Sequence, residues 1–287
     1  MSLFNEYGLD RVEIKRLRKA FRGATAPIYF DTPDPARVLG IDVHQYSGVV
    51  NWEKSFAGGI NFTLIKSSHG TLKSRFFDEN WKGAKDILPR GAWHWLYPST
   101  IFSANRQAQL CFEFFKNDLG EIPLQVDYEW TYHKYKKANP RPEDLYGFME
   151  TWKRLTGREC IIYTSQGFWN EFGSQKSYYS DKELWVANYK VDKPNLPKPW
   201  TKWLFWQWTE NGNGELYGVN KYEEWAVDLN YYNGTLAEFN ARFLGEVTSP
   251  PQVDKIGALL KSDALRLNDS DLSAHVIQLN KERPELF

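Results

Sequence analysis

The stretch Pro123–Trp130, with the sequence PLQVDYEW, sets Asp127 and Glu129 two positions apart at the end of a predicted buried strand. Side chains on a strand alternate between its faces, so these two carboxylates are expected to point the same way, roughly 6–7 Å apart at about 3.3 Å rise per residue. Two like charges in one partly buried site raise one of the two pKa values. Glycosidases use such a pair as acid and base, whereas solvated acids at a strand end are the alternative that this stretch leaves open.

Eight short apolar runs along the chain are predicted to be strands. They are Val38–His44, Phe62–Ser68, Gly91–Tyr97, Pro123–Trp130, Cys160–Ser165, Leu184–Tyr189, Leu204–Trp208 and Ala226–Tyr232. Helical patterns separate the earlier runs, at Phe76–Leu88, Ser103–Leu119 and Pro142–Thr156. Eight strands with intervening helices predict an α/β fold, a TIM-like barrel. The later gaps are short or rich in Pro and Gly, so the last three strands are expected to be joined mainly by loops.

Polar side chains lie at or near the ends of the predicted strands, and barrel enzymes place their chemistry at the C-terminal strand ends. These side chains are Asp42, His44, His94, Asp127, Glu129, Tyr163, Asn188, Tyr189, Gln207, Asp228 and Asn230. Four of them are carboxylates, so we predict that four acids converge on one mouth of the barrel.

Eight motifs at these positions resemble glycoside hydrolase family 25, the muramidases of bacteria and their phages. In family order they are GIDVHQYSG at 40–48, IKSSHG at 65–70, GAWHW at 91–95, VDYE at 126–129, IIYTS at 161–165, LWVANY at 184–189, FWQW at 205–208 and VDLN at 227–230. The resemblance covers about residues 38–245. It implies a barrel of eight strands with five helices, (β/α)5(β)3, and cleavage of the β-1,4 bond from N-acetylmuramic acid to N-acetylglucosamine with retention.

The resemblance also implies roles for the four acids. Glu129 corresponds to the general acid that protonates the leaving oxygen and then, as a base, activates water. Asp127 corresponds to the residue that stabilises positive charge at the anomeric carbon, either directly or by orienting the N-acetyl group of the substrate as an internal nucleophile. Asp42 and Asp228 match the remaining acidic positions, which are expected to hold the sugar.

Two motifs depart from the family pattern. The family usually has Glu where this chain has His69, and Tyr and Phe where this chain has Trp93 and Trp95. These changes replace an acceptor by an imidazole and enlarge two rings, so we expect them to change which sugar modification or peptide stem fits.

Aromatic and polar side chains near the strand ends are candidates for substrate binding. The candidates are Trp93, His94, Trp95, Tyr163, Tyr189, Trp206, Gln207 and Asn230. For the aromatic residues among them, packing in the core is the alternative. A lone inward histidine such as His94 is usually a hydrogen-bonded core residue.

Composition limits the other functions of the chain. Its 287 residues have a formal net charge of +0, which gives no reason to expect nucleic acid as a partner. There is no run of 18 apolar residues, so no transmembrane segment is expected. The five histidines form no pair with metal-ligand spacing, and Cys111 and Cys160 are expected to be separate buried thiols. No metal and no cofactor are predicted.

The chain is predicted to consist of a catalytic barrel at 38–245 with extensions at 1–37 and 246–287. A basic amphipathic helix is predicted at Leu9–Arg22, without the apolar run of a Sec signal. This pattern favours a phage or prophage lysin that moves from the host cytoplasm to the wall by holin-type release, or one carried on a virion. Two further helical patterns, Val253–Ser262 and Asp271–Arg283, follow a Ser-Pro-Pro linker. They suggest self-association, or docking to the wall or a virion.

Two other functions remain open at this point. A non-catalytic wall-binding or phage structural protein could keep the same barrel for glycan recognition, although four intact acids argue against it. A related β-N-acetylglucosaminidase, acting on chains of N-acetylglucosamine, would also use these acids. Bacterial peptidoglycan is the predicted partner of the main hypothesis.

Overall fold

The structure, a computed structural model, describes residues 30–131, 138–219 and 226–245. These ranges contain nine strands: β1 Leu39–Val43, β2 Phe62–His69, β3 Leu72–Lys73, β4 Arg90–Trp95, β5 Ile122–Asp127, β6 Ile161–Ser165, β7 Glu183–Ala187, β8 Phe205–Asn213 and β9 Ala226–Tyr232. They also contain seven helical segments: α1 Trp52–Ala57, α2 Phe77–Ala84, α3 Ala104–Phe115, α4 Pro142–Thr156, α5 Gln166–Phe172, α6 Ser177–Ser180 and α7 Leu236–Phe243.

Eight of the strands close into a barrel, as the sequence predicts. The strand order is β1-β9-β8-β7-β6-β5-β4-β2, and pairing of β1 with β2 closes the ring. The short β3 pairs only with β2, as an antiparallel hairpin. Unlike a regular TIM barrel, the ring contains one reversed strand, because β9 runs antiparallel to both β8 and β1. A reversed strand needs no helical crossover, which agrees with the loop connections expected for this part of the chain.

The helices match their predicted patterns to different degrees. Helix α4 occupies the predicted range, from Pro142 to Thr156, and Gly157, with a positive φ of 71°, forms its left-handed C-cap. The Asp144 carboxylate accepts the backbone N–H of Arg141 at 2.8 Å and so caps the first turn. Helices α2 and α3 end before the predicted Leu88 and Leu119. The short segments α1, α5, α6 and α7 were not predicted, because four to eight residues carry too little periodicity.

Apolar side chains fill the space inside and outside the barrel wall. Leu124 and Val126 face outward into the layer of helices. The inner layer contains Phe62, which lies 4.9 Å from Phe205 and 5.2 Å from Phe239 of α7 between ring centroids. These rings fill the barrel interior near α7, and the inward acids lie toward the C-terminal ends of the parallel strands.

The helical patterns predicted at Leu9–Arg22, Val253–Ser262 and Asp271–Arg283 lie outside the described residues. Among the helices in the described ranges, none has the length and apolar character needed to cross a membrane.

Candidate active site

A pocket opens where the parallel strands of the barrel reach their C-terminal ends. Its walls are formed by Asp42, His44, Trp93, Asp127, Glu129, Tyr163, Trp185, Gln207 and Asp228. All four acids singled out in the sequence therefore surround one small cavity. Among the candidate binding residues, Trp93, Tyr163 and Gln207 line it directly.

Asp127 and Glu129 reach the pocket from the end of β5. The strand ends at Asp127, so Glu129 follows the strand and is not part of it, which corrects the predicted strand range. The alternation of side chains nevertheless continues, because Tyr128 is buried on the outer side against Phe168 and Trp169. Its hydroxyl donates to the Phe172 carbonyl at 2.5 Å. This anchor turns the residues on either side of Tyr128 toward the pocket.

Asp42 and Asp228 lie directly opposite each other on the antiparallel strands β1 and β9. Two side-chain amides donate to Oδ2 of Asp42, from Gln207 Nε2 at 2.9 Å and from Asn230 Nδ2 at 2.8 Å. The same Gln207 nitrogen donates to Asp228 Oδ2 at 3.3 Å. These donors hold both acids at fixed positions.

Gln207 joins the acids to two tyrosines. Its Oε1 accepts the hydroxyl of Tyr163 at 2.8 Å and the hydroxyl of Tyr189 at 2.6 Å. Because carboxylates only accept, the amide nitrogen must face Asp42 and Asp228, which leaves the oxygen to accept from the two hydroxyls. Tyr189 thus supports the site through Gln207 and is not among the residues that line the pocket.

Asn230 is fully buried beneath the pocket. It accepts Trp185 Nε1 at 2.8 Å while donating to Asp42. The structure therefore places it as a support for an acid and a ring, and not at the surface that a ligand would touch.

Two candidate binding residues face away from the pocket. His94 is fully buried toward the helices, with Nδ1 2.8 Å from Ser68 Oγ, Nε2 3.2 Å from Gln107 Oε1, and its ring stacked 4.7 Å from Phe148. Burial lowers the pKa of His94 to about 3, so the ring is neutral. Trp206 also packs in the outer layer and donates to the Asn188 carbonyl at 2.8 Å. We therefore correct the sequence analysis and remove both from the binding set.

Lys66 is a buried cation beside the pocket that the sequence analysis did not select. Its Nζ lies 4.7 Å from the ring centroid of Trp93 and 4.6 Å from that of Trp95. Trp95 itself is not among the residues that line the pocket. The position of Lys66 could have been found from strand alternation, because it is in phase with the inward Phe62 and Leu64.

His69, at the other departure from the family pattern, lies near this cation. A register shift between Lys66 and Ser68 interrupts the alternation of β2. Ser68 bonds to the outward His94, and the His69 ring then lies 5.9 Å from that of Tyr97. Burial first, and then the charge of Lys66, lower the pKa of His69 to about 4, so its imidazole is neutral near pH 7. It is not among the residues that line the pocket.

Metal ligation finds no support in the part of the chain that the structure describes, where no group of three His, Cys, Asp or Glu side chains is arranged to hold an ion. Cys111 and Cys160 are separate buried thiols. Burial raises the pKa of Cys111 to about 11, so it is not a reactive thiolate.

Comparisons with known proteins agree with the geometry. The sequence profile of the glycosyl hydrolases family 25 matches residues 41–215. Lysozyme M1 of Streptomyces globisporus is 30% identical over 230 residues, which cover 72% of this chain and 72% of that protein. An N,O-diacetylmuramidase of Arthroderma benhamiae is 28% identical over 208 residues, which cover 66% of this chain and 86% of that protein.

A solved structure shares the fold over nearly its full length. The bacterial lysozyme from Streptomyces coelicolor superimposes with a TM-score of 0.61 at 26% identity, covering 73% of this chain and 98% of that protein. The family profile spans more than half of the chain, from β1 through β8. The chain therefore belongs to the glycosyl hydrolases family 25 and is a glycoside hydrolase.

Proposed function

We propose that the chain is an N-acetylmuramidase that cleaves the β-1,4 bond between N-acetylmuramic acid and N-acetylglucosamine in bacterial peptidoglycan, with retention. The observation that carries the proposal is the convergence of four carboxylates on one pocket of a family 25 barrel. Relatives named lysozyme and N,O-diacetylmuramidase support the choice of substrate.

Glu129 is the proposed general acid and base. It is half-buried beyond the end of β5, whereas Asp127 is 4% exposed. A carboxyl at this more open position can meet the leaving oxygen of the glycan and afterwards a water molecule. Proton transfer by a positioned group of this kind is typically worth about 10²–10⁴-fold in rate.

Asp127 is the proposed stabiliser of the positive charge that develops at the anomeric carbon. A carboxylate held in a water-poor site acts strongly on such charge, because few solvent dipoles screen it. It would act either directly or by orienting the N-acetyl group of the substrate as an internal nucleophile.

Asp42 and Asp228 are proposed to hold the sugar. Gln207 and Asn230 fix Asp42, and Gln207 also contacts Asp228. Ionised carboxylates accept hydrogen bonds, so these two acids suit the hydroxyl groups of a pyranose. Tyr163 and Trp185, whose ring centroids lie 4.4 Å apart, supply an aromatic wall for its apolar face.

The proposal extends to the organisation and location of the chain. Residues 38–245 would perform catalysis, and the extensions at 1–37 and 246–287 would provide self-association or docking to the wall or a virion. The enzyme would act at the cell wall, reached by holin-type release from the host cytoplasm or as a virion component.

Mass spectrometry of the products from purified peptidoglycan tests the proposal. Reduction with borohydride labels each new reducing end, and we expect labelled muramic acid. Labelled glucosamine would instead indicate a β-N-acetylglucosaminidase, and binding without release would indicate a wall-binding protein. Proton NMR of an early digest should show the β-anomer first, whereas the α-anomer first would indicate inversion.

A further inference from the structure

The connection between β7 and β8 carries an excess of positive charge. The chain as a whole has 36 Lys and Arg against 36 Asp and Glu, whereas residues 188–204 contain four lysines and one acid, Asp192. The lysines, which we call the lysine stripe, are Lys190, Lys193, Lys198 and Lys202. All four are exposed.

Neighbouring acids do not neutralise the lysine stripe. Elsewhere on the surface lysines pair with carboxylates, as Lys116 does with Glu113 at 2.8 Å and Lys182 does with Glu159 at 2.7 Å. Within residues 30–131, 138–219 and 226–245, no Asp or Glu side chain lies within ion-pairing distance of the four stripe lysines. Their charge is therefore available to an anionic partner.

A fixed backbone presents the lysine stripe. Trp169 Nε1 donates to the Lys198 carbonyl at 2.7 Å, and the Asn195 N–H donates to Asn188 Oδ1 at 2.8 Å. Pro197, between these two bonds, is buried. Because the connection is already ordered, a partner that binds it loses little affinity to ordering of the backbone.

The lysine stripe runs from the mouth of the pocket down the outside of the barrel. Its first member follows Tyr189, whose hydroxyl donates to Gln207 at 2.6 Å. The connection ends where the Leu204 N–H donates to the Leu184 carbonyl at 2.8 Å, near the start of β7. Leu184 and Asn188 are four residues apart, or roughly 13 Å at about 3.3 Å rise per residue. An anionic group on a sugar in the pocket can reach only the upper end of the stripe, whereas a linear polyanion can follow all of it.

The chemistry of the lysine stripe favours repeated phosphates. An ammonium group is a compact point charge, without the planar fork with which arginine binds one carboxylate in a fixed geometry. Several such charges in a row bind a phosphate backbone by electrostatic attraction and release of counterions, and they need no shaped pocket. A linear chain of polyols joined by phosphodiesters has the form that fits the stripe.

We propose that the lysine stripe binds an anionic wall polymer, a linear chain of phosphodiester-linked polyols attached to peptidoglycan. The inference rests on the proposed function, since it takes the wall as the place of action. The stripe holds the enzyme on the wall between cleavage events, while the pocket binds the glycan.

Binding of soluble poly(glycerol phosphate) to the full chain tests the inference, by isothermal titration at about 50 and about 200 mM salt. The stripe variant replaces all four stripe lysines by Gln. The control variant makes the same change of charge at four other exposed lysines, namely Lys82, Lys85, Lys116 and Lys153. None of the eight lines the pocket, and both variants keep the basic pattern at Leu9–Arg22. The two variants therefore differ only in where the charge is lost.

The expected difference follows from the number of lysines in contact with the polymer. Each lysine near an anionic surface is worth roughly fivefold in affinity, so two effective contacts give about thirtyfold. We expect the stripe variant to bind at least about thirtyfold more weakly than the parent at about 50 mM salt, with a smaller salt dependence, and the control variant to stay within about threefold. Equal weakening of both variants would overturn the inference, as would binding by the stripe variant at the affinity of the parent.

Vesicles of phosphatidylglycerol distinguish the polymer from a lipid surface that carries the same phosphodiester chemistry. Binding to these vesicles through the stripe, without binding to the polymer, would overturn the inference in favour of a membrane. Cleavage of soluble glycan fragments should be equal in the parent and the stripe variant, and slower cleavage by the variant would overturn the inference by placing the stripe in the catalytic site. Failure of the proposed function is a separate result, namely no release of fragments from polymer-free peptidoglycan by the parent.

Discussion

Gln207→Glu should replace the hydrogen bonds to Asp42 and Asp228 by electrostatic repulsion. The substitution keeps the size of the side chain and the oxygen that accepts from Tyr163 and Tyr189. It replaces the nitrogen that donates to Asp42 at 2.9 Å and to Asp228 at 3.3 Å by a second carboxylate oxygen. A new carboxylate would then lie in contact with those of Asp42 and Asp228 in a buried site.

The size of the effect is limited by protonation. At about 3 Å and an effective dielectric constant of about 20, each repulsion would reach roughly 5 kcal/mol. The new carboxyl avoids this cost by keeping its proton, which at pH 7 costs about 3.7 kcal/mol relative to an ordinary Glu pKa of about 4.3. We therefore expect a loss of about 3–4 kcal/mol in the free energy of unfolding at pH 7, or about 6–16 °C in melting temperature.

The sign of the pH dependence follows from the raised pKa of the new carboxyl. The folded variant retains a proton that the unfolded chain releases above about pH 4.3, so its stability relative to the parent falls as pH rises. Near pH 4.5 the protonated group can donate to Asp42, and the difference should nearly vanish.

Urea unfolding followed by tryptophan fluorescence between pH 4.5 and 7.5 measures this difference. Gln166→Glu is the matched control, because it makes the same change at the half-buried start of α5, away from the four acids, where only one long bond of 3.4 Å is lost. If the free energy of unfolding of Gln207→Glu falls by less than about 1 kcal/mol at pH 7, or by an amount that does not change with pH, the Gln207 nitrogen does not face the two acids.

Three further predictions concern stability, positioning and the extensions. Burial lowers the pKa of His94 to about 3, so as pH falls this histidine gains its proton in the unfolded chain first, and its contribution should lower the free energy of unfolding by about 1.4 kcal/mol per pH unit between pH 6 and 4. Urea unfolding of His94→Gln should lack that part of the pH dependence. An identical pH dependence in the variant would contradict the prediction. Tyr128→Phe removes the 2.5 Å hydrogen bond to the Phe172 carbonyl but keeps the ring, so it should lower the free energy of unfolding by about 1 kcal/mol and lower kcat more than it raises KM. An unchanged kcat in steady-state assays would contradict the role of Tyr128 in positioning Asp127 and Glu129. A chain ending at Thr248 should still cleave soluble glycan fragments and change only in whole-cell lysis or in mass by light scattering; loss of activity in a folded protein would show that the tail completes the site.

Strand alternation explains how much of the site could be predicted. The apolar runs located the barrel, and the spacing of Asp127 and Glu129 brought both to the pocket. The same rule excludes some of our own candidates. Trp206 and Gln207 are adjacent on β8, so their side chains cannot both face the inside of the barrel. On β4, His94 likewise cannot face the same side as its neighbours Trp93 and Trp95.

Other features depend on contacts that no local pattern contains. The register shift after Lys66 arises where β2 meets β4, and it decides which way His69 points. The role of Gln207 requires partners from four other strand ends, which the closed barrel brings together.

The most direct test of the central claim compares turnover and binding in Glu129→Gln and in the unsubstituted enzyme. The substitution keeps the shape of the side chain and removes the proton donor. We expect release of reducing ends from purified peptidoglycan to fall by about 10²–10⁴-fold, while the dissociation constant for a glycan tetramer changes by less than about threefold. Release at a near-normal rate by the purified variant would contradict the assignment of Glu129 as the acid and base.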